Sequence, residues 1–277
     1  MIIRRFLILC LTLLVIPILA AAEMTVHFLD VGQGDAAIIL CDGEAMLIDG
    51  GSSKDSQFIF SYLRNTLGLS RLKCLVSTHP HEDHVGGLAA ALNACTVETI
   101  LSPVTGYDSK PFQSFLKYAQ RQACDLTVPR CGDAFALGGA VVTVLSSPDE
   151  AFGINDRSIV LRVDYGETSF LFTGDAEQAA EASLLAGNAD LHADVLKVAH
   201  HGADTSSSQA FLSAVLPRHA IISAGKENPY GHPSDWTLTA LREIGCTLLR
   251  TDLYGTIIFR SDGQHLTFET EKSPRKR

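Results

Sequence analysis

No pair of cysteines in this 277-residue chain is spaced C-x-x-C. That absence removes thiolate zinc ribbons and dithiol redox centres from the chemistry open to it. Beyond residue 22 no apolar run approaches the roughly 20 residues needed to span a bilayer. Basic charge is in short supply: 22 Lys and Arg stand against 31 Asp and Glu, a formal charge of −9. A surface of that sign repels polyanions at long range and counts against an extended nucleic-acid-binding face. Low-complexity stretches and linkers that would divide the chain are also missing. With 46% hydrophobic and 19% charged residues, the composition is that of one compact, enzyme-sized domain.

Residues 1–22 stand apart. Arg4 and Arg5 precede an apolar run that ends in Ala20-Ala21-Ala22, the pattern of a secretory signal removed before Glu23; the competing reading is an uncleaved anchor. The domain then spans 23–277 and is exported to the periplasm, the cell surface or the medium. Without Arg4 and Arg5 it carries 20 basic against 31 acidic residues, a charge of −11. The basic run Lys272-Ser273-Pro274-Arg275-Lys276-Arg277 reads as a solvated terminus. Six cysteines remain, Cys41, Cys74, Cys95, Cys124, Cys131 and Cys246, and an exported chain permits disulfides. Cys124 with Cys131 is the first pairing to expect, and Cys74, inside an apolar run, reads as a buried thiol.

Period-2 runs at 25–29, 36–41 and 44–48 predict strands, with Asp42-Gly43 as a hairpin turn. Further strands are predicted at 74–77, 99–101, 141–145, 158–163, 169–173, 195–199, 220–223, 247–250 and 256–260. Helical periodicity covers 58–67, 85–92, 111–122, 177–185, 207–215 and 234–244. Strands and helices in alternation, with hairpins in each half, indicate an α/β fold with mixed sheets. The metal-type residues fall where strands end, which is where such folds expose loops for chemistry.

The densest chemistry is Ser77-Thr78-His79-Pro80-His81-Glu82-Asp83-His84-Val85-Gly86-Gly87. Three imidazoles and two carboxylates within six residues are the donors that suit zinc and neighbouring first-row ions. In extended backbone His79 and His81 share a face and can grip one ion. Where the chain turns into a helix, Asp83 and His84 project differently and can serve a second.

At these residues the chain resembles the metallo-β-lactamase superfamily, whose signature is H-x-H-x-D-H. Asp30-Val31-Gly32-Gln33-Gly34-Asp35, Leu47-Ile48-Asp49-Gly50-Gly51, Phe172-Thr173-Gly174-Asp175, Lys197-Val198-Ala199-His200-His201-Gly202 and Tyr230-Gly231-His232-Pro233 extend the resemblance to the branch typified by the extracellular domain of the DNA-uptake protein ComEC, with phosphorylcholine esterases as relatives. The resemblance implies a four-layer αββα sandwich and two divalent ions, zinc or manganese, holding a nucleophilic hydroxide between them. It assigns His79 and His81 to the first ion, Asp83 and His84 to the second, Asp175 to both, and His232 to the second. Asp49 would orient a ligand histidine.

One departure stands out. Many superfamily members place another histidine before the bridging Asp, but residues 85–174 contain none. Asn155, with Ser158 in the branch's Asn-x-x-Ser, occupies that region. The missing ligand comes from His200 or His201, or one of these is a proton donor or steadies the substrate. Asp30, Gln33 and Asp35 either hold a glycine turn or line the site. Lys197 is a snorkelling surface lysine or a phosphate contact, the former being favoured. Trp236 is expected to pack rather than stack on substrate, and His27, His192, His219 and His265 are ordinary structural or exposed residues.

Three functions follow from these readings. The first is a phosphodiesterase or nuclease acting on a small phosphoester or on single-stranded DNA. The second is a β-lactamase or other ester or amide hydrolase, against which Asp175 and Asn155 stand where such members have cysteine and histidine. The third is a metal-stabilised binding protein without catalysis.

Overall fold

The computed structural model describes residues 23–146, 150–187 and 189–273. The leader read at 1–22 and the terminal residues 274–277 lie outside these. Among the described residues, no helix is long and apolar enough to cross a membrane.

The N-terminal strands, β1 (Met24–Phe28), β2 (Ala37–Cys41) and β3 (Glu44–Ile48), pair antiparallel. Next, β4 (Arg71–Val76), β5 (Thr96–Leu101) and β6 (Leu126–Thr127) continue that sheet in parallel. A second sheet repeats the plan. Here β7 (Ala134–Leu137), β8 (Ala140–Val144), β9 (Leu161–Tyr165) and β10 (Thr168–Phe172) run antiparallel, and β11 (Val195–Lys197), β12 (His219–Ile222) and β13 (Thr247–Arg250) follow in parallel. The chain then returns to the first sheet, where β14 (Ile257–Ser261) joins β1 and β15 (Leu266–Thr270) closes the edge.

Period-2 alternation divides the side chains among three cores. Met24, Val26 and Phe28 of β1, Ile39 of β2 and Met46 of β3 point between the sheets, where they meet Phe170 and Phe172 of β10 and Phe259 of β14. Ile38, Leu47 and Leu75 point outward to helices α1 (Ser56–Ser61), α3 (Leu88–Ala94) and α4 (Lys110–Arg121). On the far side, Leu171, Leu196, Ala220 and Ile222 face α5 (Gln178–Ala186), α6 (Gln209–Val215) and α7 (Asp235–Ile244). Helix, sheet, sheet, helix is therefore the layer order, as the resemblance implies. Phe28 stacks on Phe172 at 5.7 Å between ring centres, so the strand that leads to Asp175 is registered by aromatic contact with the opposite sheet.

Several boundaries differ from the sequence reading for identifiable reasons. The helix predicted at 85–92 is two, α2 (Glu82–Val85) and α3, broken at Gly86-Gly87. The helix predicted at 58–67 finishes as a π-helical turn over Tyr62–Thr66. The strand predicted from 158 starts only at Leu161, because Ser158 and Ile159 are occupied in bonds to the site loops. Strands β6, β7 and β15 and the short helix Thr251–Tyr254 have weak or no periodicity and went unpredicted.

The cysteine pairing is also corrected. Cys124 and Cys131 form no disulfide with each other: the thiol of the first is directed to the Glu98 carbonyl and that of the second to the Leu145 carbonyl. Cys41, Cys74, Cys95 and Cys246 form none either. Among the described residues no disulfide reinforces the packing.

His27 is a structural histidine, as expected. Its ring is buried, with Nδ1 2.9 Å from the Tyr62 hydroxyl and Nε2 3.2 Å from Thr25 Oγ1. Burial, aided by Arg260, lowers its pKa to about 4. An unfolded chain takes up a proton near pH 6.5 that the folded ring refuses until about 4. Stability should therefore fall as pH drops through that window. Denaturant melts at pH 7 and 4.5 should show a smaller acid loss in His27→Gln than in wild type; an equal loss would remove His27 as the cause.

Candidate metal centre

The parallel strands of both sheets end along one edge, and the signature residues leave those ends. Backbone contact brings the loops together. The Gly87 nitrogen bonds the Gly51 carbonyl and the Gly50 nitrogen that of His84. A Cβ on Gly87 would stand 2.1 Å from the Gly50 oxygen, and one on Gly86 2.2 Å from the Ser53 nitrogen. Only hydrogen fits there. The two sheets are joined at the same place by the Ile159 N–H donating to the Thr78 carbonyl, and on the second sheet's side the Asp175 N–H donates to Ser158 Oγ.

At the centre lies the buried Asp175 carboxylate. His79 Nε2 and His200 Nε2 face its Oδ2 at 3.5 and 3.8 Å. His84 Nε2 and His201 Nε2 face Oδ1 at 3.2 and 3.7 Å. His81 Nδ1 lies 3.1 Å from His79 Nε2, and Asp83 Oδ2 lies 3.2 Å from His201 Nε2. Two groups of donors thus share one carboxylate: His79, His81 and His200 on one oxygen, Asp83, His84 and His201 on the other.

The opposite edges of the rings are held from behind. His84 Nδ1 is 2.9 Å from Asp49 Oδ2, and Asp49 accepts bonds from the Thr78 amide and hydroxyl at 2.8 and 2.7 Å. His201 Nδ1 sits 3.0 Å from the Ser223 carbonyl and 3.2 Å from Asp35 Oδ1. His200 Nδ1 is 3.0 Å from Glu177 Oε1. Asp35 lies with His84, Asp175 and His201 in a group whose ligand-type atoms are within 4.8 Å of one another. It approaches Nδ1 of both rings, at 4.0 Å from His84 and 3.2 Å from His201, on the edges turned away from Asp175. His200 and His201 reach their positions through left-handed backbone, φ 49° and 54°, which non-glycine residues adopt only at a cost of order 1–3 kcal/mol each.

The electrostatics demand cations. Asp35, Asp49, Asp83 and Asp175 crowd one pole against a single lysine, Lys197, whose ammonium is 2.6 Å from Asp35 Oδ2. Burial would drive the Asp175 carboxyl upward, but His84, His201 and His79 outweigh it and hold it well below the usual range. Burial likewise works against charge on His84 and His201. Asp175 and Asp49 nevertheless hold His84 well above an ordinary imidazole, and Asp175 with Asp35 lifts His201 to about 9. Asp175 Oδ1, His84 Nε2 and His201 Nε2 are buried without a hydrogen-bond partner, which is rare for buried polar atoms. Imidazole and carboxylate groups that converge and leave these buried atoms unsatisfied are a donor set that fits divalent ions.

Residues 29–226 match the family described as the metallo-beta-lactamase superfamily. The chain belongs to this superfamily. It is 32% identical over 268 residues to ComE operon protein 3 of Bacillus subtilis (strain 168), an alignment covering 90% of this chain and 34% of that one. It is 33% identical over 241 residues to competence protein ComA of Neisseria gonorrhoeae, covering 86% and 32%. These are relatives of the ComEC-like branch, and the chain spans about a third of their length. Among solved structures, the metallo-beta-lactamase fold protein YhfI from Bacillus subtilis superposes with a TM-score of 0.57 at 12% identity, over 87% of this chain and all of that one. CmlA, a diiron β-hydroxylase from Streptomyces venezuelae, does so at 0.57 and 16%, over 86% and 54%. Both show the shared fold.

Within this superfamily chain the remaining expectations sort clearly. Asn155 reaches no ring of the centre; its Nδ2 donates to Glu177 Oε1 at 3.3 Å, behind His200. Ser158 holds the Asp175 amide. Gln33 Oε1 accepts the Gly225 amide at 3.0 Å and so ties two loops. His232 lies beside the donors, its ring 5.5 Å from that of His200 and 6.3 Å from that of His201. Of its two readings Asp30 takes that of the glycine turn: its Oδ1 accepts the Gly32 amide at 3.3 Å, while Oδ2 pairs with Lys272 at 2.9 Å, which also draws part of the basic tail onto the body. Two readings are corrected. Lys197 is 4% exposed, no snorkelling residue, because its charge is needed by Asp35. Trp236 is 46% exposed on α7, whose buried side is Thr237, Ala240 and Leu241. Sequence reasoning missed Glu177 and Thr205, which share the Nδ1 side of His200. Glu177 follows Asp175 by two residues, the one local signal that could have found it.

Gly87→Ala should lower the melting temperature by several degrees and reduce bound metal, since a methyl cannot enter the contact with Gly50. Thermal melts with elemental analysis check this; an unchanged metal content would show the two loops to be independent.

Proposed function

We propose that this chain is an exported hydrolase of phosphoesters that works with two divalent ions, zinc or manganese. The observation that carries the reading is the Asp175 carboxylate, each oxygen of which faces two imidazole nitrogens of a separate donor group. His79, His81 and His200 would hold one ion, Asp83, His84 and His201 the other, with Asp175 between them. His200 thereby fills the position left empty by the absence of histidine in 85–174, and His201 goes to the second ion. His232 stands at the rim of the two sites, its ring 5.5 Å from that of His200 and 6.3 Å from that of His201.

Two such ions supply ionised water near neutral pH and a clamp on the attacked group. The chain's own residues do the rest. Asp49, Asp35, Thr78 and Glu177 fix the ligand rings, as supports of metal-binding histidines do. Lys197 balances the charge of Asp35. His201 is buried, its Nδ1 held by Ser223 and Asp35 and its Nε2 turned inward to Asp83 and Asp175, so it is placed to serve as a ligand and not as a proton donor to a leaving group. Asp83, with its side chain 30% exposed, is open enough to relay a proton from an attacking water.

Paired cations suit in-line displacement at phosphorus, and relatives named for competence and recombination favour a nucleic-acid-linked phosphodiester over a β-lactam. Export rests on the leader read at 1–22, with Glu23 as the first mature residue.

The metal-loaded protein should hydrolyse bis-p-nitrophenyl phosphate and lose the activity on chelation. Asp175→Asn and His200→Ala should each lower kcat about a thousandfold or more, since members of a unit that acts together fail together. Turnover of nitrocefin in place of the phosphodiester would replace this reading with a lactamase. Metal binding with neither activity would leave a binding protein.

A further inference from the structure

Tyr230 is 68% exposed, more than any other large hydrophobic side chain recorded among the described residues. It stands beside the metal centre. Its ring stacks on His232 at 5.7 Å and 27°, and His232 in turn lies at 6.3 Å and 27° from His201. Three rings thus step outward from the donor set to solvent, with separations typical of offset aromatic pairs.

The loop carrying this ladder is held from within. Asn228 Oδ1 accepts the amides of Tyr230 and His232 at 3.2 and 3.0 Å, and Asn228 Nδ2 donates to the carbonyls of Gly225 and His232. Gly225 is itself tied to Gln33 across the cleft. An exposed aromatic on an anchored loop loses little freedom on binding.

We propose that Tyr230 is a stacking platform for a nucleobase attached to the phosphate under attack, so that the substrates of this centre are nucleotide phosphoesters. The proposal rests on the phosphoester reading and narrows it. Stacking needs no positive charge, which suits a chain with 20 basic against 31 acidic residues after residue 22. Every base offers a π-face, so such a platform tolerates any sequence. Quaternary ammonium groups are the other common occupant of an aromatic face, but their sites are cages of several rings, whereas Tyr230 presents one open face.

Calorimetric titration of the metal-loaded protein with thymidine 5′-phosphate, 2-deoxyribose 5-phosphate and phosphocholine tests this. Thymidine 5′-phosphate should bind more tightly than the sugar phosphate by about fivefold or more, about fivefold being the low end of one base stack. Tyr230→Ala should erase that ratio and Tyr230→Phe should keep it, with melting temperatures unchanged in both. Equal binding of the two ligands by wild type, or a ratio that survives Tyr230→Ala, overturns the platform while the phosphoester reading stands. A ratio lost in Tyr230→Phe assigns the hydroxyl and overturns stacking. Tighter binding of phosphocholine, dependent on Tyr230, overturns the nucleobase assignment. Failure of all three to bind overturns both readings.

Discussion

A buried carboxylate with more imidazoles than it can satisfy organises this protein. Asp175 leaves β10 at the seam between the sheets, and four Nε2 atoms approach it from two sides. Burial makes its charge expensive. The fold tolerates that charge because protonated rings, or ions in their place, surround it. Much else follows from this constraint: the Ser158 hydroxyl that holds its amide, the left-handed backbone that fans His200 and His201 to different oxygens, and the glycines that let the His79–His84 loop lie flat against Gly50.

Behind the rings stands a second set of side chains. Asp49, Glu177 and the Asp35–Lys197 pair each fix a ring edge that faces away from the centre. A ligand histidine with a held Nδ1 has one tautomer and one orientation, so the donor set is arranged before any ion arrives. The arrangement stores strain in the backbone and concentrates buried charge in the core. Proteins keep such features where function requires them.

Legibility from sequence followed distance along the chain. His79, His81, Asp83 and His84 lie within six residues and stand out unaided. The strands with strict alternation, β1 to β3 above all, read directly as sheet with one face toward each core. The division of labour between His200 and His201 did not, since it depends on two φ angles that no pattern encodes. Lys197 looked like a surface residue because its partner, Asp35, is 162 positions earlier in the chain. Asp30 belongs to the same glycine turn as Asp35 yet faces Lys272. The two-residue strand β6 and the edge strand β15 exist through pairing with neighbours, which local periodicity does not record. The nearness of Cys124 and Cys131 in sequence misled for the converse reason: close spacing does not ensure that two thiols meet.

The donors come from both halves of the molecule, 79–84 from one sheet and 175–201 from the other. An ion that engages both sets would bind only when the sandwich is closed, so its binding free energy would add directly to that of folding. Among the described residues no disulfide reinforces the seam. In a metal-poor medium such a protein would open more often along that line and be cut sooner by proteases, so trace-element supply would set its lifetime as well as its activity.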